Sequence, residues 1–341
     1  MKTCTYLAIL SCCYLACTSS PKLFKLQGQT QGTTYAISYH GSEARNYQIQ
    51  VDSIFEVINQ SLSTYQPTST IVRFNQSNSF QSNDRHFLNM LEQSQAVYQQ
   101  TEGAFDPTIM PLVKAWGFGP DNSLAAKIGN FDSLRQLVGF GQIRYAVPDE
   151  SGGYLVSKNT EGIQLDFNAI AQGYTVDEVA DFLEKRGIEN YLVEIGGEVK
   201  AKGKNAKGNL WALGIEKPDE LQIIGIHNLA AIIELDDVAI ATSGSYHKFY
   251  LKDGVKYSHT IDPHTGYPVT HNLLSVTVMT DQAAKADAYA TAFMVWGKDE
   301  AMTFIRNRPE LNIEAYFISD GGAGKLAIEA TAGMEAVIRA D

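Results

Sequence analysis

Hydrophobic and polar positions follow two rhythms along this chain. Tyr35, Ile37 and Tyr39 share one face of residues 33–39, the two-residue period of a strand. Val51, Ile54, Phe55, Ile58 and Leu62 then recur at helical spacing, and a polar loop follows over 63–69. Phe87, Leu91, Ser94 and Tyr98 predict a second amphipathic helix ending near Gly103, after which Gly- and Pro-punctuated sequence runs to Pro120. Residues 162–167 predict a short strand. Val176, Val179, Ala180 and Leu183 form a helical stripe, with Gly187 where a C-terminal cap belongs. Residues 191–195 predict a strand closed by Gly196 and Gly197. Trp211, Leu213 and Ile215 alternate, as do Ile233 and Leu235 less cleanly; 275–280 predicts a strand and 287–296 a helix. Strands and helices mix without a regular βαβ repeat, so the class is α+β. No solenoid repeat, low-complexity tract or composition shift marks a boundary after Pro21, and the length allows one large domain or two ordinary ones.

Composition narrows the chemistry. With 44% hydrophobic and 19% charged residues in 341, the chain can bury a large core. A net charge of −11 lacks the basic footprint of a nucleic-acid binder. All four cysteines, Cys4, Cys12, Cys13 and Cys17, lie at the extreme N-terminus. The body therefore has no disulfide, no Cys-based metal site and no thiol nucleophile.

The N-terminus reads as a targeting segment. Lys2 supplies a positive start, and residues 6–16 form an apolar stretch too short to span a bilayer as a helix. Small residues precede Cys12 and Cys17, as at the cleavage and lipidation site of bacterial lipoproteins. Cys17 leaves the more normal apolar segment, whereas Cys12 has the better residue three positions before it. An ordinary secretory signal is the other reading. The expectation is a signal peptide over 1–16, a lipid-anchored tether over 17–24 starting at Cys17, and the folded body over 25–341.

Three motifs carry candidate chemistry. Gly196-Gly197 and Ser243-Gly244 each follow a strand, where bare turns bring backbone N–H groups near an anion or simply turn the chain. Asp287 and Thr291 are four apart on one helix face. A buried carboxylate and hydroxyl there suit a hard cation such as Mg²⁺. The alternative is an Asp favoured by the helix dipole and a Thr bonded back to the preceding turn. Finally, His259 ends a strand ahead of a Pro/Gly loop, a place for a general base or for a structural imidazole. His264 and His271 read as loop residues.

Taken together, several segments resemble the ApbE family of FAD:protein FMN transferases. They are Gln31-Gly32-Thr33-Thr34-Tyr35; Ser63-Thr64-Tyr65 with Ser69-Thr70-Ile71; Thr101-Glu102-Gly103-Ala104-Phe105-Asp106-Pro107; and Leu165-Asp166-Phe167-Asn168-Ala169-Ile170-Ala171-Gln172-Gly173-Tyr174. Glu194-Ile195-Gly196-Gly197, Ala241-Thr242-Ser243-Gly244, residues 258–268 and Ala286-Asp287-Ala288-Tyr289-Ala290-Thr291-Ala292 follow in family order. The resemblance implies an ApbE-like α+β fold, a single large mixed α/β catalytic domain of mixed strands with packed helices, and a phosphotransferase-type enzyme. Such an enzyme cleaves FAD, attaches FMN to a Thr or Ser of a target protein and releases AMP. It implies Mg²⁺, with Mn²⁺ as the other oxygen-seeking ion, on Asp287, Thr291 and the backbone oxygen of Ala169. It places FAD contacts on Gln31, Tyr65, Ala104, Phe105, Asp106, Asp166, Gln172 and Ile261, with backbone help near Ser243 and Gly244. His259 is the favoured base. Implied partners are flavin-accepting subunits of membrane redox complexes of the NADH:quinone oxidoreductase type, reached from a lipid anchor facing the periplasm. Gln172 stands where many relatives carry Lys, and Glu198 where Asp is common. The competing functions are an FAD pyrophosphatase giving FMN and AMP, and a flavin-binding lipoprotein without catalysis.

Overall fold

The computed structural model describes residues 22–42, 44–117, 131–146, 150–218, 228–245, 249–252, 255–258 and 260–340. His259, Cys12 and Cys17 lie outside the described residues. The N-terminal half contains β1 (Lys22–Thr30), β2 (Thr33–Gly41), α1 (Gln48–Leu62), α2 (Thr70–Gln76), β3 (Ser79–Ser82), α3 (Arg85–Gln100), α4 (Met110–Ala115), α5 (Phe131–Arg135), β4 (Ile143–Tyr145) and β5 (Tyr154–Lys158). Then follow α6 (Ala171–Glu184), β6 (Asn190–Ile195), β7 (Glu198–Lys202), β8 (Trp211–Glu216), β9 (Leu229–Leu235), β10 (Val238–Gly244), β11 (Phe249–Lys252) and β12 (Val255–Ser258). The chain closes with β13 (Leu273–Thr280), α7 (Ala283–Trp296), α8 (Lys298–Asn307), β14 (Glu314–Asp320), β15 (Leu326–Ala330) and α9 (Ala332–Val337).

An eight-stranded antiparallel sheet, ordered β1-β2-β6-β7-β10-β13-β14-β15, divides the molecule. On one face, Tyr35, Ile37 and Tyr39 of β2 and Tyr191, Val193 and Ile195 of β6 pack on Val51 and Phe55 of α1 and Val176, Val179 and Leu183 of α6. These are the alternating and helical positions the sequence pattern selects. On the opposite face, Val199, Ala201, Ile240 and Ile318 pack on Trp211, Ile233 and Leu235 of the β8–β9 hairpin and Met334 of α9. α7 is buried on nearly every side, from Ala283 to Met294, because its small residues let it lie against strands and other helices at once.

Two expectations change. Residues 162–167 form no strand. Ile163, Leu165 and Phe167 alternate into the core, but the side-chain amide of Asn75 takes the place of a partner strand. It accepts from the Leu165 N–H at 2.7 Å and donates to the Leu165 carbonyl at 2.9 Å. The folded domain also begins before residue 25, its expected start, because Lys22, Leu23 and Phe24 pair with Gly41, His40 and Tyr39 in the sheet.

Candidate active site

Three strand ends meet at one end of the sheet. The register pairs Tyr35 with Ile195, Ile195 with Glu198, Ile240 with Val199, and Gly244 with Ser275. That brings together the β1–β2 turn at Gln31-Gly32, the β6–β7 turn at Gly196-Gly197, and the Ser243-Gly244 end of β10. Gln31 has φ 51° and Gly32 φ 75°, the left-handed pair that a two-residue hairpin turn requires. Few side chains tolerate that conformation. Gln31 is held by donating Nε2 to the Thr175 hydroxyl at 2.7 Å, while its buried Oε1 has no partner among the described residues. A polar depression of about 450 Å³ opens beside the turn, lined by Gln29, Thr30, Gly32, Thr33 and Thr34.

The N-terminus of α6 lies behind these turns without a side-chain cap. Gln172 reaches Gly196, where an added Cβ would sit 2.7 Å from its Nε2. Gly173 is the contact with α7: a Cβ there would fall 2.2 Å from the carbonyl oxygen of Ala283. The bare glycine lets the helices close, and its N–H then points at Asp287 Oδ2 at 3.4 Å. That N–H would otherwise bond to the Ala169 carbonyl, so among the described residues Ala169 is left without a backbone donor.

Asp287 is 5% exposed, on a helix with no polar surroundings to spare. Burial pushes its carboxyl up to about 7, with only the Gly173 N–H pulling the other way. Glu198, at the start of β7, is 6% exposed, and its Oε2 has no hydrogen-bond partner among the described residues. Burial, and after it the negative charge of Asp287, hold the Glu198 carboxyl well above the usual range. Thr291 lies one turn beyond Asp287. Thr101 and Thr175 bond back to the carbonyls of Val97 and Ala171, each at 2.7 Å. Thr291 makes no side-chain hydrogen bond among the described residues, which removes the back-bonded alternative.

Among the described residues no three His, Cys, Asp or Glu side chains cluster as metal ligands. The donors gathered here are therefore mixed: carboxylate, hydroxyl and backbone carbonyl. All are oxygens, one carboxylate oxygen is orphaned, and like charges face each other. That set fits a hard divalent cation.

The remaining expected residues fall into distinct places. Asp166 is held beside this site: its N–H donates to the Pro107 carbonyl at 2.7 Å, and its carboxylate accepts from the Asn168 N–H at 2.9 Å. Burial raises its carboxyl, opposed by Asn168 and the Lys114 charge. Asp106 accepts from the Thr108 N–H at 2.8 Å, the Thr108 hydroxyl at 2.6 Å and the Phe140 N–H at 3.3 Å. Burial still lifts it to about 6. Ala104 and Phe105 have fully buried side chains, so contact with a ligand falls to their backbone. Ile261 is buried and bridges to Pro268, closing a loop in which His264 Nε2 lies 2.9 Å from the Glu102 carbonyl oxygen. His271 Nε2 lies 2.8 Å from the Met294 carbonyl oxygen, as a structural imidazole would. Tyr65 is 71% exposed, and no described ring packs on it. Its flat face is open for stacking.

Residues 31–317 match the ApbE family, a span that covers every segment from Gln31 to Ala292 described above. The chain belongs to the ApbE family. It is 37% identical over 294 residues to the FAD:protein FMN transferase of Vibrio cholerae serotype O1, covering 84% of this chain and 85% of the relative. It is 33% identical over 311 residues to that of Haemophilus influenzae, with 89% and 88% covered. Among solved structures, the flavin transferase ApbE from Vibrio cholerae superposes with a TM-score of 0.77 at 34% identity, over 93% of this chain and 99% of the other. The Pseudomonas stutzeri flavinyl transferase ApbE, in its apo form, gives 0.80 at 31% identity, with 95% and 99% covered. In this ApbE chain the segment from Asp166 to Thr175 is the hub that contacts the other motifs: Pro107, Gln31, Gly196 and Asp287. Sequence reasoning missed Gly173 and Asp177 as organisers of that hub. The small residue facing the Ala-rich stretch of α7 was the available signal for Gly173. Asp177 carried none, because its partners come from α7 and β7.

Proposed function

We propose that this chain is a Mg²⁺-dependent FAD:protein FMN transferase, joining FMN through a phosphoester bond to a Thr or Ser of a flavoprotein subunit and releasing AMP. One observation supports the reading most: the buried Asp287 carboxylate, next to a Thr291 hydroxyl and an Ala169 carbonyl that have no hydrogen-bond donor or acceptor among the described residues. Mg²⁺ held by those oxygens supplies Lewis-acid neutralisation of the pyrophosphate charge. The Ser243-Gly244 end of β10 offers backbone donors to the phosphates, and Gln172 adds a neutral hydrogen-bonding group; the Gly196 and Gly197 N–H groups are already donated to the Thr34 carbonyl and the Glu194 carboxylate. Asp166 accepts hydrogen bonds from FAD, and Tyr65 packs on one of its rings. The acceptor hydroxyl attacks the FMN-side phosphorus; the new P–O bond forms as the bond to AMP breaks. His259 takes the hydroxyl proton. The target subunits are of the NADH:quinone oxidoreductase type. Cys17 carries the lipid that anchors the protein to the membrane, facing the periplasm.

The test is incubation of the chain with FAD, Mg²⁺ and an acceptor subunit, read by mass spectrometry. The acceptor gains the mass of one FMN. Free FMN with an unlabelled acceptor identifies a pyrophosphatase instead, and intact FAD identifies a binding protein. In the same assay His259→Ala keeps FAD binding and lowers transfer by roughly 10²–10⁴-fold, the usual reach of a general base. Equal loss of binding and transfer makes His259 a binding residue. Fatty-acid labelling that disappears in Cys17→Ser supports the anchor; loss in Cys12→Ser moves it.

A further inference from the structure

Side chains at alternate positions of β7 point to one face of the sheet. Glu198, Lys200 and Lys202 share the face covered by α6, because their cross-strand partners Ile195, Val193 and Tyr191 pack on that helix. Two of the three have counter-ions there. Lys200 lies 3.6 Å from Asp177 and Lys202 lies 3.3 Å from Glu184. Glu198, the third, has no ion-pair partner among the described residues, although it is the most deeply buried of the row. α7 packs against β7, and from it the negative charge of Asp287 acts on Glu198.

A buried carboxylate oxygen with no donor costs several kcal/mol in general, and a second carboxylate beside it adds repulsion. Proteins retain such an arrangement where something positive joins it. α6 supplies no basic residue at this level: the helix there is Gly173, chosen for closeness to α7. Lys200 is already engaged with Asp177.

We infer that Glu198 is a positioning residue of the cation site, a second carboxylate that shares the divalent ion with Asp287. Two carboxylates then balance the ion's two charges before any phosphate arrives. The hydroxyl of Thr291 and the carbonyl of Ala169 complete the oxygen set as neutral donors. This inference rests on the cation site proposed above, and it assigns to that site a residue from the opposite side of the helix–sheet junction.

The experiment is a Mn²⁺ titration of the full chain without FAD, following free Mn²⁺ by electron paramagnetic resonance, alongside melting in EDTA. Wild type binds one ion, and D287N abolishes binding. E198Q weakens binding roughly 10–100-fold, the usual cost of losing a supporting partner of a metal. Its Tm in EDTA stays level or rises, because a like charge is gone. Unchanged Mn²⁺ affinity in E198Q, with D287N still defective, overturns the role of Glu198 and leaves the cation site standing. No Mn²⁺ binding by wild type overturns the cation site itself. If E198Q loses its cooperative melt, E198D decides: it keeps the charge but draws it back by one methylene. Weakened Mn²⁺ binding in E198D supports the assignment and unchanged binding overturns it.

Discussion

Two aspartates face the α6–α7 junction from opposite sides, and their surroundings differ. Asp177, on α6, accepts from the Ala283 and Ala284 N–H groups, both at 2.9 Å, and has Lys200 at 3.6 Å. It caps a helix to which it does not belong, satisfying N–H groups that α7 leaves free at its start. Asp287, one turn into α7, has one long contact from Gly173 at 3.4 Å and faces Glu198. Burial raises both carboxyls, Asp177 to about 6 and Asp287 to about 7. The first aspartate is matched by donors that the fold supplies. The second is matched by none of comparable strength, as expected of a side chain built to hold a ligand. A buried charge with complete partners holds a fold together, whereas one with missing partners points to chemistry.

That contrast can be broken or sharpened in order of effect. Asp287→Asn keeps the side-chain shape and removes the charge. Transfer should fall by at least ~100-fold, since the charge neutralisation lost is worth several kcal/mol. Labelling of an acceptor with FAD and Mg²⁺ checks this, and undiminished labelling sinks the assignment. Gly173→Ala drives a methyl group into the Ala283 carbonyl, so the helices must part. A loss of about 1–3 kcal/mol is expected in urea denaturation, with weaker cation binding as Asp287 moves away. Asp177→Ala should cost about 1–2 kcal/mol through the lost cap, with transfer nearly intact. If Asp177→Ala instead abolishes transfer while Asp287→Asn only destabilises, the contrast is reversed.

The smallest effect is in the pH dependence. Both carboxyls lie above their ordinary value of 3.8, so the folded state holds these protons more tightly than the unfolded chain. The stability they contribute is fully present below 3.8 and is lost as pH rises through about 6 for Asp177 and about 7 for Asp287. Denaturation midpoints of metal-free protein should therefore decline from pH 4 to 7 through these groups. Asp287→Asn should flatten the upper part of that decline. An unchanged slope in Asp287→Asn shows that its carboxyl does not titrate there.

Much of the fold and part of the site are legible in the residue pattern alone. Tyr35, Ile37 and Tyr39 are spaced as a half-buried strand, and Val176, Val179, Ala180 and Leu183 as a buried helix stripe; both pack where the period puts them. The i, i+4 spacing of Asp287 and Thr291 places them on one face of α7 in any context. Other features are hidden from it. The Ile163, Leu165, Phe167 alternation resembles a strand, yet Asn75 supplies the ladder bonds from a distant helix. Phe105 lies in a motif that reads as ligand-binding, yet its side chain is in the core. Periodicity reports which way a side chain faces, and it carries no information about what it meets.

Residue order alone specifies most of the local elements, the thiol-free body and the oxygen-bearing face of α7, because each depends on neighbours within a few residues. It takes the packed fold to close one helix on another at Gly173, to match Asp177, and to bury Glu198 within reach of the Asp287 charge. Those facts depend on strand register and helix approach, which bring distant residues together, and charge balance in a buried site is a property of all of them at once.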